Sequence, residues 1–169
     1  FLAARNTAPN RTVYRISRGL LNVLRSIPEL IKGIIFVAAV GFGALPGVLA
    51  LGIHSIGMVG KFFSEAIEHA DEAPVEAARA AGATPVQVIT HGILPQVLPQ
   101  FADVTMYRWE YNFRASTVMG MVGAGGIGLE LIASLRLMQY NDCFAILITI
   151  LCMVTLVDWL SGLLRRRFK

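Results

Sequence analysis

The sequence predicts an all-α membrane protein that crosses the bilayer about four times. Hydrophobic residues make up 55% of its 169 positions and charged residues only 15%, and the mean hydropathy is +0.61. Soluble domains carry about 25% charged residues. The net charge of +4 comes from arginines near the two ends of the chain. Because nucleic-acid binding requires a continuous basic face, this pattern indicates the basic fringe of membrane spans instead.

Residues 1–27 predict a basic amphipathic helix on the cytoplasmic surface of the membrane. Apolar residues recur at helical spacing among five arginines: Val13, Ile16, Leu20, Leu21 and Leu24 lie among Arg5, Arg11, Arg15, Arg18 and Arg25. This pattern is typical of a membrane-surface helix, and a solvated helix of a soluble domain is the alternative. The chain begins at Phe1 rather than methionine, so we expect a piece of a longer protein.

Residues 28–63 predict a hairpin of two spans. Residues 33–60 contain no Asp, Glu, Lys or Arg, and a single helix of that length would extend about 42 Å, beyond the roughly 30 Å hydrocarbon core. The segment Gly41–Gly47 lies in the middle and is rich in glycine and proline, which favours a turn. Two crossings also return Lys61 and the following residues to the arginine-rich, cytoplasmic side.

Residues 64–95 predict a cytoplasmic loop that contains two short helices. For the first helix, Pro74 suits the first helical position and Glu76 the acidic first turn. Alanines continue this helix, and Gly82 is expected to end it.

The second short helix of the loop starts at a capping signal. Thr84, Pro85 and Gln87 supply a threonine cap, a proline at the first position and a glutamine at the third position of a capping box. Leu94–Pro95 is expected to close the loop. Since both helices are nearly devoid of bulky side chains, one face is predicted to lie close against a partner.

Residues 96–121 predict a third span with charged residues inside it: Asp103, Arg108, Glu110 and Arg114. Charges at membrane depth are costly and normally face a bundle interior or a water-filled path. Arg114 follows Glu110 by four residues, so the two are placed to form an ion pair. Two interpretations stay open. Arg108, Glu110 and Arg114 line a translocation path, or the charges lie at the interface or lock neighbouring helices together.

Residues 122–141 predict an outer glycine-rich loop, and residues 142–163 predict a fourth span. Trp159 and the basic tail, residues 164–169, mark its cytoplasmic end. Four crossings place both ends of the chain and the loop 64–95 on one side, as the charge distribution requires.

The glycines Gly123, Gly125, Gly126 and Gly128 match a G-x-G-x-x-G pattern. A dinucleotide site would need a strand before this run, whereas a charged membrane helix precedes it. We therefore interpret these glycines as gate or close-packing positions, and a membrane-bound oxidoreductase is the alternative. The sequence contains no Gly-Lys-Ser/Thr motif, and we predict neither catalytic residues nor a metal site.

The loop 64–95 resembles the EAA motif of ABC importer permeases. The motif residues are Glu76-Ala77-Ala78, Gly82 after three more residues, and Leu94-Pro95. One position departs from the pattern, because Gly92 stands where an aliphatic residue usually precedes Leu-Pro by two. We expect a small register or packing change there without loss of function.

Four further segments resemble the phosphonate-type, PhnE-like branch of these MetI-like permeases: Arg25–Glu29, Gly47–Leu51, Tyr107–Arg114 and Val122–Gly128. The resemblance implies a type I ABC importer transmembrane fold in a bacterial inner membrane. It also implies a second permease copy, two cytoplasmic ATPase subunits that hydrolyse ATP, and a periplasmic solute-binding protein. Members of the family carry a further N-terminal segment with at least one span.

The resemblance implies roles for individual residues as well. Coupling to the ATPase would use Glu76, Ala77, Ala78, Gly82, Leu94 and Pro95. The chain itself would bind no cofactor, and the solute would be phosphonate or a related phosphorus oxyanion such as phosphite. A membrane scaffold that uses the same loop without transport is the remaining alternative.

Overall fold

A computed structural model describes residues 1–168, and within that range the regular structure is all helical, without a strand. Its helices are α1 (Arg11–Ser26), α2 (Glu29–Val40), α3 (Ala44–Glu68), α4 (Glu72–Ala80), α5 (Pro85–Gln87), α6 (Leu94–Met119), α7 (Ile127–Arg136) and α8 (Tyr140–Phe168). A π-helical segment, Val88–Ile93, joins α5 to α6, and a 3₁₀ turn, Gly120–Val122, follows α6. The all-α prediction is confirmed.

Among residues 1–168, two helices are long and apolar enough to cross a membrane, α3 and α8 over Tyr140–Arg166. A bent pair, Pro85–Val122 with Ile127–Arg136, meets at 41° and raises the number of candidate spans to 3. The sequence predicts four spans, and the one that does not qualify here belongs to the hairpin predicted for residues 28–63. Its first arm, α2, has 12 residues and extends only about 18 Å, because it starts after Pro28 and ends at Gly41.

Helix α1 packs lengthwise along α3. Leu24 lies against Gly57 and Leu21 against Gly60, while Arg18 reaches Ser64, so the two helices are antiparallel. The membrane-surface location of residues 1–27 stays a prediction. The two glycines of α3 leave room for leucines of α1, whereas other apolar residues of α1, including Ile16, stay exposed.

Two predicted boundaries in the loop 64–95 also need correction. Helix α4 begins at Glu72 after the cap Asp71, which places Pro74 at the third rather than the first helical position. The pair Leu94–Pro95 starts α6 instead of closing the loop, since a proline in the first helical turn costs no hydrogen bond.

The predicted outer loop, residues 122–141, contains a ten-residue helix, α7. Helix α8 continues past residue 163 through the predicted basic tail as far as Phe168. Lys169, the last residue of that tail, lies outside the described residues.

Two apolar clusters hold the helices together at opposite ends of α3. One contains Ala4, Ala66, Ile67, Ile93 and Val97, and joins the N-terminal segment to α3, the π-helical segment and α6. The other contains Ala50, Met119 and Ala124, and joins α3 to the end of α6 and the glycine run. The loop 64–95 therefore emerges beside the first cluster, and the glycine run lies at the second.

Candidate functional site

The loop 64–95 presents its motif residues at the surface. Glu76, Ala77 and Gly82 are exposed, and Ala78 is half-buried. Gly82 follows α4 with φ +79°, the left-handed conformation that glycine adopts without strain. The amide groups of residues 81–83 then bond back to carbonyls of residues 77–79, which closes the end of the helix. The exposed Glu76 and the left-handed turn at Gly82 thus lie on one compact helical unit.

The predicted capping box is present at the second helix. The Thr84 amide donates to Oε1 of Gln87 at 2.8 Å, and the Thr84 and Gln87 side chains lie 3.0 Å apart. Pro85 occupies the first turn of α5. The short helix starts where the local sequence predicts because Thr84 and Gln87 satisfy polar groups that the first turn leaves free.

Gln96 joins the two ends of the loop, a role that the sequence analysis missed. Its Oε1 accepts a bond from the Asp71 amide at 2.8 Å, while its Nε2 donates to the carbonyls of Asp71 at 3.2 Å and Gly92 at 2.5 Å. One side chain therefore holds the start of α4 against the start of α6. The motif's last pair, Leu94 and Pro95, begins α6 next to this closure. Leu94 is half-buried and Pro95 is exposed.

The N-terminal segment supports the base of the same loop. The Arg5 amide donates to Glu68 Oε1 at 2.9 Å, and Asn6 Nδ2 donates to the Ile67 carbonyl at 2.7 Å. Arg18 reaches Glu68 as well, at 3.3 Å. The last turn of α3 is thereby fixed immediately before the loop begins.

Gly92 lies in the π-helical segment at a close approach to α4. A Cβ at this position would lie 3.4 Å from Val75 Cα and 3.6 Å from the Pro74 carbonyl oxygen. These distances are ordinary van der Waals contacts for a methyl group but leave no space for a longer side chain. The position that departs from the family pattern thus coincides with an irregular helix and a tight packing contact.

We predict that Gly92→Ala is tolerated and that Gly92→Leu separates α4 from the π-helical segment. Alanine fits the available space and favours the helix, whereas leucine must displace Val75, at a cost of about 1–3 kcal/mol. Hydrogen exchange of the α4 amides in detergent measures the difference, with the alanine variant as the control. Equal protection in the two variants would contradict the close contact.

A buried polar cluster joins α2, α3 and α6 inside the bundle. Glu29 lies at its centre, with Oε2 3.3 Å from His54 Nε2 and Oε1 accepting a bond from the Tyr111 hydroxyl at 2.5 Å. Lys32 donates to the Leu24 carbonyl and its Nζ lies 3.4 Å from His54 Nδ1. The sequence analysis did not predict this cluster, although Glu29 and Lys32 beside an uncharged run were a signal for it.

Arg108, one of the three predicted path residues, belongs to this interior. It is 3% exposed, and its Nη2 donates to Ser55 Oγ and Asn112 Oδ1, both at 3.2 Å. Its guanidinium lies 4.4 Å from the centre of the Tyr111 ring. Arg108 thus bonds α6 to α3 through Nη2 and contacts the Tyr111 ring, while its Nε is buried without a partner among the described residues.

Glu110 and Arg114 lie on a different face of α6, towards α8. Glu110 Oε1 is 2.9 Å from Arg165 Nη2, and Arg114 Nη2 is 3.1 Å from Asp158 Oδ1. The predicted pair within α6 also forms, with Arg114 Nη2 3.7 Å from Glu110 Oε2. The structure therefore separates the three predicted path residues: Arg108 faces α3, while the other two bridge to α8.

The glycine run lies where α6, α7 and the turn between α2 and α3 meet. A Cβ at Gly125 would lie 2.8 Å from the Ala44 amide nitrogen, and one at Gly123 would overlap the Phe42 ring. A Cβ at Gly128 would overlap the Thr117 carbonyl oxygen. Gly126 has φ +83° and begins α7. Three of the four glycines thus adjoin another segment at backbone distance, and the fourth permits the turn into α7.

The family of binding-protein-dependent transport system inner membrane components matches residues 1–169. The chain is 76% identical over its full length to the phosphite transport system permease protein PtxC of Stutzerimonas stutzeri, and it covers 62% of that relative. It is 45% identical over 121 residues to the putative cryptic phosphonate transport system permease protein PhnE2 of Escherichia coli K12, covering 99% of it. The chain thus spans a little over three-fifths of the length of PtxC.

A solved structure shares the fold. A chain of the MetNI methionine ABC transporter in an inward-facing conformation superposes with a TM-score of 0.79 and 23% identity, over 99% of this chain and 82% of that one. With the family match over every residue, the chain belongs to the binding-protein-dependent transport system inner membrane component family.

Proposed function

We propose that this chain is the membrane-spanning part of an ATP-driven importer of phosphite, phosphonate or a related phosphorus oxyanion. The observation that carries the proposal is the 76% identity to a phosphite transport permease, which extends over all 169 residues. Relatives named for phosphite and phosphonate transport recur at 43% and 45% identity. The chain would lie in the bacterial inner membrane as a multi-pass subunit.

The proposed partners are a second permease copy, two cytoplasmic ATPase subunits and a periplasmic solute-binding protein. The loop 64–95 would dock on the ATPase through Glu76, Ala77, Ala78 and Gly82, with Leu94 and Pro95 at its return to the membrane. Closure of the ATPases on ATP would draw two such loops together. Because the loop is continuous with α3 and α6 and is closed by Gln96, its displacement would move both helices. The open and closed ATPases would contact the loop differently, and this difference would favour one conformation of the permease over the other.

We predict that Glu76→Ala and Gly82→Ala uncouple the ATPase from loaded binding protein. The first change removes an exposed carboxylate of the docking surface. The second forces a side chain into φ +79°, at a cost of about 1 kcal/mol or more. We expect stimulation of ATP hydrolysis by loaded binding protein to fall roughly tenfold, equivalent to about 1.4 kcal/mol of coupling.

Glu130→Ala is the matched control, since Glu130 is an exposed acid in the first turn of α7, away from the loop. The assay uses the assembled transporter in proteoliposomes. Undiminished stimulation in the Glu76 and Gly82 variants, with normal amounts of bound ATPase, would refute the docking role.

For the solute path, we propose Arg114 as the residue that contacts the anion, with Glu110 limiting how tightly it is held. The Arg114 side chain is 55% exposed, which suits a group that meets a passing solute. Arg108, by contrast, has its guanidinium engaged with Ser55 and Asn112. The buried position of Arg108 is better suited to joining α6 to α3 than to binding an anion in transit.

A further inference from the structure

A groove of about 490 Å³ separates the ends of α3, α6 and α8 on the side of the loop 64–95. It is lined by Asp103 and Tyr107 of α6, by Gly162, Arg165 and Arg166 of α8, and by Phe62 of α3. Its size is that of a small-molecule site. Neither the docking loop nor the buried cluster around Glu29 uses this space.

The groove carries charges of both signs that have bonding capacity left. Among the described residues, Asp103 and Arg166 form no ion pair within 4.0 Å. Arg165 bonds Glu110 through Nη2, but its buried Nε has no partner within the described part of the chain. An occupant with an anionic and a cationic group would pair with Arg166 and Asp103, the two groove residues outside the ion pairs of residues 1–168.

The groove lies within about two to three helical turns of the ends of α3 and α6 that lead into the loop 64–95. Asp103 is nine residues past the start of α6 at Leu94, and Phe62 is six residues before the end of α3 at Glu68. At 1.5 Å per residue these positions lie about 14 Å and about 9 Å from the helix ends. Arg165 and Arg166 lie in the last turns of α8. Basic pockets between spans on the cytoplasmic side bind the phosphate-bearing headgroups of lipids such as cardiolipin, and Asp103 adds an acidic group to this one.

We propose that the groove binds a zwitterionic phospholipid with a primary ammonium group, of the phosphatidylethanolamine type. Arg165 and Arg166 would take the phosphate through charge-assisted hydrogen bonds, and Asp103 would take the ammonium. Asp103 would need a cationic group that carries N–H donors. Phosphatidylcholine has a cation without N–H groups, and phosphatidylglycerol has no cation, so neither lipid meets this requirement. The occupant would tie α8 to α6 beside the Glu110–Arg165 pair.

The chain offers a substitution that places a bulky side chain in the groove without removing a charge. A Cβ at Gly162 meets no heavy atom within 4 Å, so Gly162→Leu is compatible with α8 while its side chain occupies the site. Gly19→Leu is the matched control, because Gly19 is also helical and open but lies on α1. Asp103→Asn tests the ammonium contact separately.

The experiment measures the thermal denaturation midpoint of the assembled, full-length transporter in detergent with added lipids that have identical acyl chains. We expect phosphatidylethanolamine to raise the midpoint by several degrees more than phosphatidylcholine or phosphatidylglycerol. This preference should vanish in Gly162→Leu, persist in Gly19→Leu and disappear in Asp103→Asn. Native mass spectrometry should show the retained lipid in the wild type and the Gly19 variant.

Equal stabilisation by the three lipids would overturn the proposal. The proposal would also be overturned if inorganic phosphite stabilised the wild type but not Gly162→Leu, because the groove would then bind a free oxyanion. Should Gly162→Leu fail to assemble, Asp103→Asn decides the question, because an unchanged preference for phosphatidylethanolamine in that variant excludes the assigned contact. Transport of solute is scored separately, so failure here leaves the importer proposal intact.

Discussion

Replacing Gly128 by alanine is expected to remove most of the folded permease. A Cβ there would overlap the Thr117 carbonyl oxygen and lie 3.0 Å from the Thr117 carbonyl carbon and 3.1 Å from Gly120 Cα. These neighbours are backbone atoms, so relief requires α7 to move away from α6. Overpacking of this kind costs about 3 kcal/mol or more. The yield of monodisperse protein in mild detergent and its denaturation midpoint measure the loss.

Gly52→Ala is the control for this substitution. Gly52 lies in α3 with no heavy atom within 4 Å of its would-be Cβ, so alanine there should leave the yield unchanged or raise stability by up to about 1 kcal/mol through helix propensity. If Gly128→Ala gives the same yield and midpoint as Gly52→Ala, α6 and α7 do not approach each other as closely as described.

The glycine run also shows where sequence reasoning reaches its limit. Glycine and proline in residues 41–47 and the glycines of 123–128 each predict a break in helical structure. Their contact was not predictable, although the Gly43 amide donates to the Gly123 carbonyl at 3.2 Å and Gly125 lies against Ala44. Periodicity and turn chemistry report on neighbours in sequence, whereas this junction joins segments about 80 residues apart.

The loop 64–95 shows the same division between local and distant information. The capping box of Thr84 and Gln87 was predictable because its partners are three residues apart. The predicted start of α4 was wrong because Asp71, whose carboxylate accepts a bond from the Ala73 amide, caps the helix at an earlier residue. Gln96 carries no local signal at all. Its role depends on Asp71 and Gly92 reaching the same side chain, which only the folded loop brings about.

Arg108 and Arg114 are expected to have different roles within one helix, and the larger structural effect is expected at Arg108. Arg108→Ala should cost about 3 kcal/mol or more, since it leaves a space in the bundle and removes donors from Ser55 and Asn112. The yield of folded protein should fall. Arg114→Ala should cost less than about 1 kcal/mol, because the Arg114 side chain is 55% exposed and its partner Asp158 47% exposed. Normal yield of the Arg108 variant would contradict the interior role.

Measurements of transport distinguish the two possible roles of Arg114, a link between helices and a contact with the anion. If Arg114 only locks α6 to α8, Asp158→Ala should act like Arg114→Ala, because both break the same 3.1 Å ion pair. If Arg114 stabilises the anion, loss of the cation should slow uptake roughly tenfold, or about 1.4 kcal/mol, while Asp158→Ala keeps the cation and retains most of the rate. We expect the second result, measured as phosphite uptake by proteoliposomes with equal amounts of assembled transporter. Uptake by Arg114→Ala at the wild-type rate would remove the anion contact and leave both charged pairs of this face as links between helices.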